Sequence, residues 1–215
     1  IVIIDYFLLT MYDVLAFKNE KLQLSNLKII FTSFISYAFA NSIGLSGLTG
    51  SGLRINLYSL WNVPYKSIIK VIKFCYVSFW VGLLWVGGLF LTFEPVDLTR
   101  FNFYFDTTKE VGIILLIIAA SYSAHKVFSK KKSLEISVFQ ILISLLDWIL
   151  VSGLIYIFLP HSDTLTFIKF FPIFLSAQII GVLSNLPGGI GAFDYVFLTL
   201  MGKYYPPSII VAALI

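Results

Sequence analysis

Long apolar stretches separated by short charged loops extend along the whole chain. Residues 1–17, 74–93, 111–128 and 134–159 are each almost wholly apolar, and a further apolar run begins at residue 208. A helix needs about 20 apolar residues to cross the hydrocarbon core of a bilayer. The pattern therefore predicts an all-α integral membrane protein with about five spans.

Two other apolar regions, residues 27–61 and 166–205, are interrupted in the middle by small residues at 44–52 and 185–191. Irregular backbone at membrane depth is tolerated only where protein or water covers it. We therefore expect two Gly-rich re-entrant hairpins. The expected tip residues are Gly50, Gly52, Pro187, Gly188, Gly189 and Gly191.

Composition excludes a soluble domain. Charged residues make up 12% of the chain and the mean hydropathy is +0.93, whereas soluble domains carry roughly 25% charged residues. The chain begins and ends inside apolar runs, so we expect a single transmembrane domain that is truncated at both ends.

Basic residues predict the sidedness of the loops. Eleven of the 15 Lys and Arg residues cluster at 18–28, 54–73 and 126–132, and an excess of positive charge marks cytoplasmic loops. The loop at 94–109 is mixed in charge and is expected outside. The first hairpin then enters and returns from inside, and the second from outside.

This sidedness predicts an inverted-topology repeat. Repeat A covers residues 1–93, a connecting span covers 111–128, and repeat B covers 134–215. Each repeat has the order span, hairpin, span, with opposite orientation. Such repeats are common in secondary transporters.

Charged residues within apolar stretches are functional candidates, because an intramembrane charge costs at least about 2.5 kcal/mol on insertion scales. Asp147 lies in the middle of its span. Asp13 is either functional or interfacial, and Asp5 is expected to face water outside. Asp194 either acts in the interior or caps the helix that follows the second break. Arg54 either snorkels to the inner interface or binds an anionic group such as a phosphate, oriented by Asp13.

Other chemistry is not indicated. The chain has one cysteine, Cys75, and two histidines, His125 and His161, a set that makes a zinc site improbable. The Gly-rich segments match no nucleotide-binding motif. We therefore expect no metal, no cofactor, no catalytic residue and no bound nucleic acid.

Two segments carry a family resemblance: Gly47-Leu-Thr-Gly-Ser-Gly-Leu-Arg54 and Asn185-Leu-Pro-Gly-Gly-Ile-Gly-Ala-Phe-Asp194. They resemble signature segments of the lysylphosphatidylglycerol synthase/flippase membrane-domain family, the multiple peptide resistance factor type. The resemblance implies a multi-pass protein of the bacterial plasma membrane. It also implies that Asp13, Arg54 and Asp194 occupy polar positions of the family pattern, where Glu is common in place of Asp194.

The function implied by the resemblance is translocation of lysylphosphatidylglycerol to the outer leaflet, which gives resistance to cationic antimicrobial peptides. Its lipid partners would be anionic and aminoacylated phosphatidylglycerol, with the headgroup on a path lined by Asp13, Arg54, Asp147 and Asp194. One alternative is the membrane part of a phosphatidylglycerol lysyltransferase that holds acceptor lipid for a C-terminal soluble domain. A small-solute transporter and an inert anchor are others. Two questions stay open: whether the whole protein is an enzyme, and whether it forms a homo-oligomer.

Overall fold

The computed structural model describes residues 1–43, 46–101, 107–129, 133–184, 186 and 189–214. Regular structure in these residues is helical, apart from an isolated bridge between Asp97 and Thr107 and a short 3-10 turn at Thr99–Phe101. The helices are α1 Val2–Asn19, α2 Asn26–Ile43, α3 Ser46–Leu60, α4 Tyr65–Phe93, α5 Lys109–Ser129, α6 Ser133–Phe158, α7 Phe167–Leu183, α8 Ala192–Met201 and α9 Pro207–Leu214.

Two helices in the described part of the chain are long and apolar enough to cross a membrane. They are Tyr65–Phe93, with a hydropathy of 1.9, and Glu135–Phe158, with a hydropathy of 2.3. The other expected spans also coincide with helices, since α1, α5 and α9 begin and end close to the predicted boundaries. The prediction of an all-helical chain is confirmed, while the number of spans stays a prediction.

Local turns explain where two of the helices end. After α1, Lys21 adopts a positive φ of 54°, and the Leu22 N–H donates to the Phe17 carbonyl at 3.0 Å. After α3, Asn62 has a φ of 60°, and the Val63 N–H donates to the Tyr58 carbonyl at 3.1 Å. Both are Schellman-type ends, in which a left-handed residue satisfies the last carbonyls of the helix.

The first interrupted region forms two helices, α2 and α3, that pack against each other. The position predicted for its tip needs correction, because Gly50 and Gly52 lie inside α3. A glycine inside a helix costs about 1 kcal/mol relative to alanine. At Gly50 this cost is offset by close packing, since a Cβ there would stand 3.3 Å from the Cβ of Ala40.

The second interrupted region also forms a packed pair, α7 and α8. Gly189 and Gly191 lie in the connection with φ values of 69° and 85°, a conformation that favours glycine. A Cβ at Gly189 would approach the Cα of Gly181 to 3.1 Å. The predicted tip residues Pro187 and Gly188 lie outside the described residues.

The chain divides into two compact units with different interiors. The first comprises Ile1–Gly82 with Lys130–Asp147, and the second comprises Leu83–Ser129 with Trp148–Ile215. Many polar side chains are buried in the first unit: Asp5, Thr10, Asp13, Thr32, Ser33, Ser36, Arg54, Ser78, Ser137, Gln140, Ser144 and Asp147. The second unit has an aromatic interior that includes Phe170, Phe171, Phe174 and Phe197.

Helix α6 shows how the polar interior of the first unit coexists with an apolar surface. Its exposed face carries four large apolar side chains, Val138, Phe139, Leu142 and Leu146, each 47–55% exposed. The opposite face buries Gln140, Ser144 and Asp147. The apolar residues recur at helical spacing, as expected of a face in contact with lipid. Helix α6 therefore presents hydrocarbon outward and polar groups inward.

Candidate functional site

The carboxylate of Asp13 is the centre of a buried polar cluster in the first unit. Its Oδ1 atom accepts hydrogen bonds from Arg54 Nε at 2.9 Å and from the Tyr58 hydroxyl at 2.8 Å. Its Oδ2 atom accepts from Arg54 Nη2 at 2.8 Å and from the Ser33 hydroxyl at 2.7 Å. Because Asp13 is 0% exposed, these donors replace water completely as partners of the carboxylate.

Arg54 is held on three sides. Two of its nitrogens bind the two oxygens of Asp13, which is the bidentate geometry that guanidinium groups favour with carboxylates. Nη1 donates to the Gly50 carbonyl at 3.4 Å, and the guanidinium carbon lies 4.4 Å from the centre of the Tyr37 ring. The side chain is therefore fixed in orientation by an ion pair and a cation–π contact.

Four helices supply this cluster, which we call the Asp13 cluster: Asp13, Ser33, Tyr37, Arg54, Tyr58 and Cys75. Helix α1 brings Asp13, α2 brings Ser33 and Tyr37, α3 brings Arg54 and Tyr58, and α4 brings Cys75. The Cys75 thiol lies 3.5 Å from Asp13 Oδ2. A single carboxylate thus joins the first four helices of the chain.

The sequence of α3 explains why its polar groups converge. Gly50, Arg54 and Tyr58 are spaced four residues apart and lie on one face of the helix. A Cβ at position 50 would stand 3.3 Å from Arg54 Nη1. Glycine therefore leaves the room in which the guanidinium reaches across to α1.

A second polar group lies in the same unit, where Asp5 of α1 and Asp147 of α6 bring their carboxyl groups within hydrogen-bonding range of each other. Asp5 is 6% exposed and Asp147 is 9% exposed. The expectation that Asp5 faces water is therefore wrong. Asp5 and Asp13 are eight residues apart, so two helical turns place both on the buried face of α1.

Asp194 has a local structural partner. Its Oδ2 atom accepts a hydrogen bond at 2.9 Å from the Gly191 N–H at the start of α8. This is half of a capping box, in which an acid at the third helical position satisfies a free backbone donor. Asp194 belongs to the second unit, whereas Asp13, Arg54 and Asp147 belong to the first.

The loop expected outside also carries a structured acid. The Asp97 carboxylate accepts hydrogen bonds from the Thr99 hydroxyl at 2.7 Å and the Thr99 N–H at 2.9 Å. These bonds lower the pKa of Asp97, because they favour its charged form.

Sequence reasoning identified Asp13 and Arg54 but missed four of their partners, Ser33, Tyr37, Tyr58 and Cys75. Tyr58 has a usable signal, since it follows Arg54 by four residues on the same helix. Ser33 and Tyr37 share a face of α2 at the same spacing, but uncharged side chains in an apolar helix do not stand out. Their role becomes visible only when α2 packs between α1 and α3.

Comparison with known proteins identifies relatives over the whole chain, although no family model matches it. The uncharacterized protein slr0712 of Synechocystis is 38% identical over the full chain and 70% of its own length. The inner membrane protein YbhN of Escherichia coli is 28% identical over the full chain and 71% of its own length. Phosphatidylglycerol lysyltransferase of Staphylococcus aureus is 26% identical over 89% of this chain, which corresponds to 23% of that protein.

These similarities agree with the composition, the two helices of spanning length and the apolar surface of α6. The chain therefore belongs to the family of slr0712 of Synechocystis, whose more distant relatives include the inner membrane protein YbhN and phosphatidylglycerol lysyltransferase.

Proposed function

We propose that this domain translocates aminoacylated phosphatidylglycerol, such as lysylphosphatidylglycerol, to the outer leaflet of the bacterial plasma membrane. The observation that carries the proposal is the buried, bidentate pair of Asp13 and Arg54 in the polar interior of a membrane protein. Similarity to a phosphatidylglycerol lysyltransferase supports a phospholipid as the transported molecule. Less negative charge at the cell surface would then protect against cationic peptides.

The chemistry of the headgroup matches both members of the pair. A phosphate can replace the Asp13 carboxylate on Arg54, because a guanidinium binds either group bidentately. The lysyl ammonium can then pair with the carboxylate that has been released. Such an exchange leaves no charge unpaired in the interior, where one unpartnered charge costs several kcal/mol.

The proposal includes a topology for the whole domain. The chain crosses the membrane about five times and carries two re-entrant hairpins, arranged as an inverted repeat of residues 1–93 and 134–215. The packed pairs α2 with α3 and α7 with α8 support the hairpins. Hairpins that open to opposite sides provide alternating access to a path between the leaflets.

A cysteine-labelling experiment tests this topology. In a Cys75→Ser background, an impermeant thiol reagent applied to intact cells should label Asp97→Cys and should not label Lys130→Cys. Permeabilised cells supply the control, because both positions should then react. Labelling of position 130 from outside would overturn the proposed sidedness.

A second function is favoured by the similarity to the lysyltransferase, of which this chain spans 23%. In that case the domain holds acceptor phosphatidylglycerol for a soluble domain elsewhere in the same protein. The two functions are compatible. Comparing the lipid exposed outside with the total amount of aminoacylated lipid distinguishes them. Loss of Arg54 should abolish lipid exposure outside while leaving the total amount of aminoacylated lipid unchanged if translocation is the role.

Leaflet-resolved lipid labelling tests the proposed function. An amine-reactive, impermeant reagent reports aminoacylated lipid in the outer leaflet of cells that produce the full-length protein. Arg54→Ala should reduce labelling to the level of cells without the protein. Arg100→Ala is the matched control, because Arg100 is an exposed arginine in the second unit. Normal labelling with a well-expressed Arg54→Ala variant would refute the proposal.

A further inference from the structure

The contact between Asp5 and Asp147 has no role in the headgroup exchange described above. These two residues come from α1 and α6, and their carboxyl groups lie within hydrogen-bonding range of each other. Both are at least nine-tenths buried. Two carboxylates at this distance would repel strongly in a medium of low dielectric constant. A carboxyl pair of this kind is stable when one proton is shared between its members.

The groups around the pair provide little compensating charge. Among the described residues, the titratable group that acts on it is the Tyr12 phenol of α1, which lies near Asp147. From α6, Ser144 contributes a neutral hydroxyl one turn before Asp147. From α4, Gly82 packs directly on Ser144. The surroundings are thus mainly neutral, so a proton is the simplest way to reduce the negative charge.

Buried acceptors without a donor also indicate that a proton binds here. Asp5 Oδ1 and Gln140 Oε1 are buried and have no hydrogen-bond partner. Gln140 lies on the same face of α6 as Asp147, two turns earlier, and its amide nitrogen donates to the Ser78 hydroxyl at 2.6 Å. A buried acceptor without a donor costs about 1–3 kcal/mol. A proton shared between Asp5 and Asp147 supplies the missing donor at Asp5.

We propose that Asp5 and Asp147 form a proton-binding site and that its loading and unloading couple lipid translocation to the transmembrane proton gradient. The coupling part rests on the proposed function, whereas the shared proton does not. With one shared proton the pair carries a single negative charge and stays buried. When the interior opens to water of lower proton activity, the proton leaves, and the two anions separate α1 from α6. Since α1 also carries Asp13, this movement acts directly on the Arg54 pair.

Infrared spectroscopy tests the site without any transport. The purified full-length protein should show one protonated-carboxyl stretching band per chain at neutral pH. The double variant Asp5→Asn/Asp147→Asn should lose that band, because Asn keeps the shape of the neutral acid and has no carboxyl group. Asp163→Asn is the matched control, since its side chain is 99% exposed, and it should keep the band. A band of full intensity in the double variant would overturn the site.

Reconstituted vesicles test the coupling. A fluorescent aminoacylated phosphatidylglycerol should accumulate in one leaflet when a pH gradient is imposed across vesicles containing the protein. One pH unit biases the distribution by about tenfold for each proton carried. Asp147→Asn should remove this bias. A bias that follows a sodium gradient in place of the pH gradient would overturn the proposal.

The infrared and vesicle experiments together distinguish the proton-binding site from the proposed lipid function. If the band behaves as expected and no lipid moves, the proton site stands and the lipid function fails. If lipid moves without regard to the pH gradient and the band is absent, the lipid function stands and the proton site fails. If the band is present but transport ignores the gradient, the coupling is refuted.

Discussion

Replacing both members of the Asp13–Arg54 pair separates its structural from its functional contribution. Asp13→Leu alone leaves a buried guanidinium, 6% exposed, without its counterion. Removing one partner of a buried ion pair typically costs about 3–5 kcal/mol. Arg54→Met alone leaves Asp13 charged, with Ser33, Tyr58 and Cys75 as its remaining donors. We expect this variant to be destabilised by a similar amount.

The double variant Asp13→Leu/Arg54→Met should be more stable than either single variant. Well-packed apolar residues often replace a buried ion pair without loss of stability. The Ser33 and Tyr58 hydroxyls both lose their acceptor. Ser33 can donate to a backbone carbonyl of its own helix instead, so the remaining penalty comes mainly from Tyr58, at about 1–3 kcal/mol. The double variant should therefore recover about 2 kcal/mol, which corresponds to about 4–8 °C in melting temperature for a chain of this size.

Two measurements on the same preparations decide the outcome. Thermal unfolding in detergent reports stability, and leaflet-resolved labelling reports translocation. We expect the double variant to regain stability and to remain inactive. A double variant that is no more stable than the single ones would refute the energetic reasoning. A double variant that exposes lipid at the wild-type level would show that the pair is only structural.

Three further predictions concern the glycines and the helix cap. Gly50→Ala should reduce translocation, because the new Cβ would stand 3.3 Å from Arg54 Nη1, whereas Gly52→Ala, with nothing within 4 Å, should leave activity unchanged and serve as its control. Gly189→Val should lower the yield of folded protein, measured by gel filtration, because its φ of 69° and the nearby Gly181 backbone exclude a β-branched side chain; wild-type yield would contradict the strain argument. Asp194→Ala should cost about 0.5–1.5 kcal/mol in thermal unfolding, the net contribution of one hydrogen bond, whereas Asp194→Glu should preserve the cap; equal stabilities would show that the cap contributes nothing.

The sequence predicted the helices well because their signal is local. The apolar run at 134–159 coincides with α6 to within one residue at each end, whereas α4 begins at Tyr65, nine residues before the predicted start at 74. Its first turns include Lys66, Lys70 and Lys73, which the pattern of basic residues assigned to a charged loop. The interruption at 44–52 was harder to interpret, because several glycines suggested an extended break. The structure instead continues α3 through Gly50 and Gly52. Packing against α2 favours the helix there, and helix propensities, which are local, do not include that contact.

The site was predictable where charge made it visible. Asp13 and Arg54 stand out as charges in apolar surroundings, and the structure joins them. Asp5 was assigned to water because it lies near the start of the chain, yet its spacing of eight residues from Asp13 already placed both acids on one face of α1. Its approach to Asp147 depends on the packing of helices more than 100 residues apart along the chain, so no pattern within either helix predicts it.

The position of Cys75 provides a natural reporter of motion in this interior. Its thiol is 7% exposed and lies 3.5 Å from Asp13 Oδ2, so a soluble alkylating reagent cannot reach it while the Asp13 cluster is closed. The rate of alkylation therefore measures how often the cluster opens. A lipid substrate that separates Asp13 from Arg54 should accelerate the modification, and mass spectrometry of the intact chain can follow it without any introduced label.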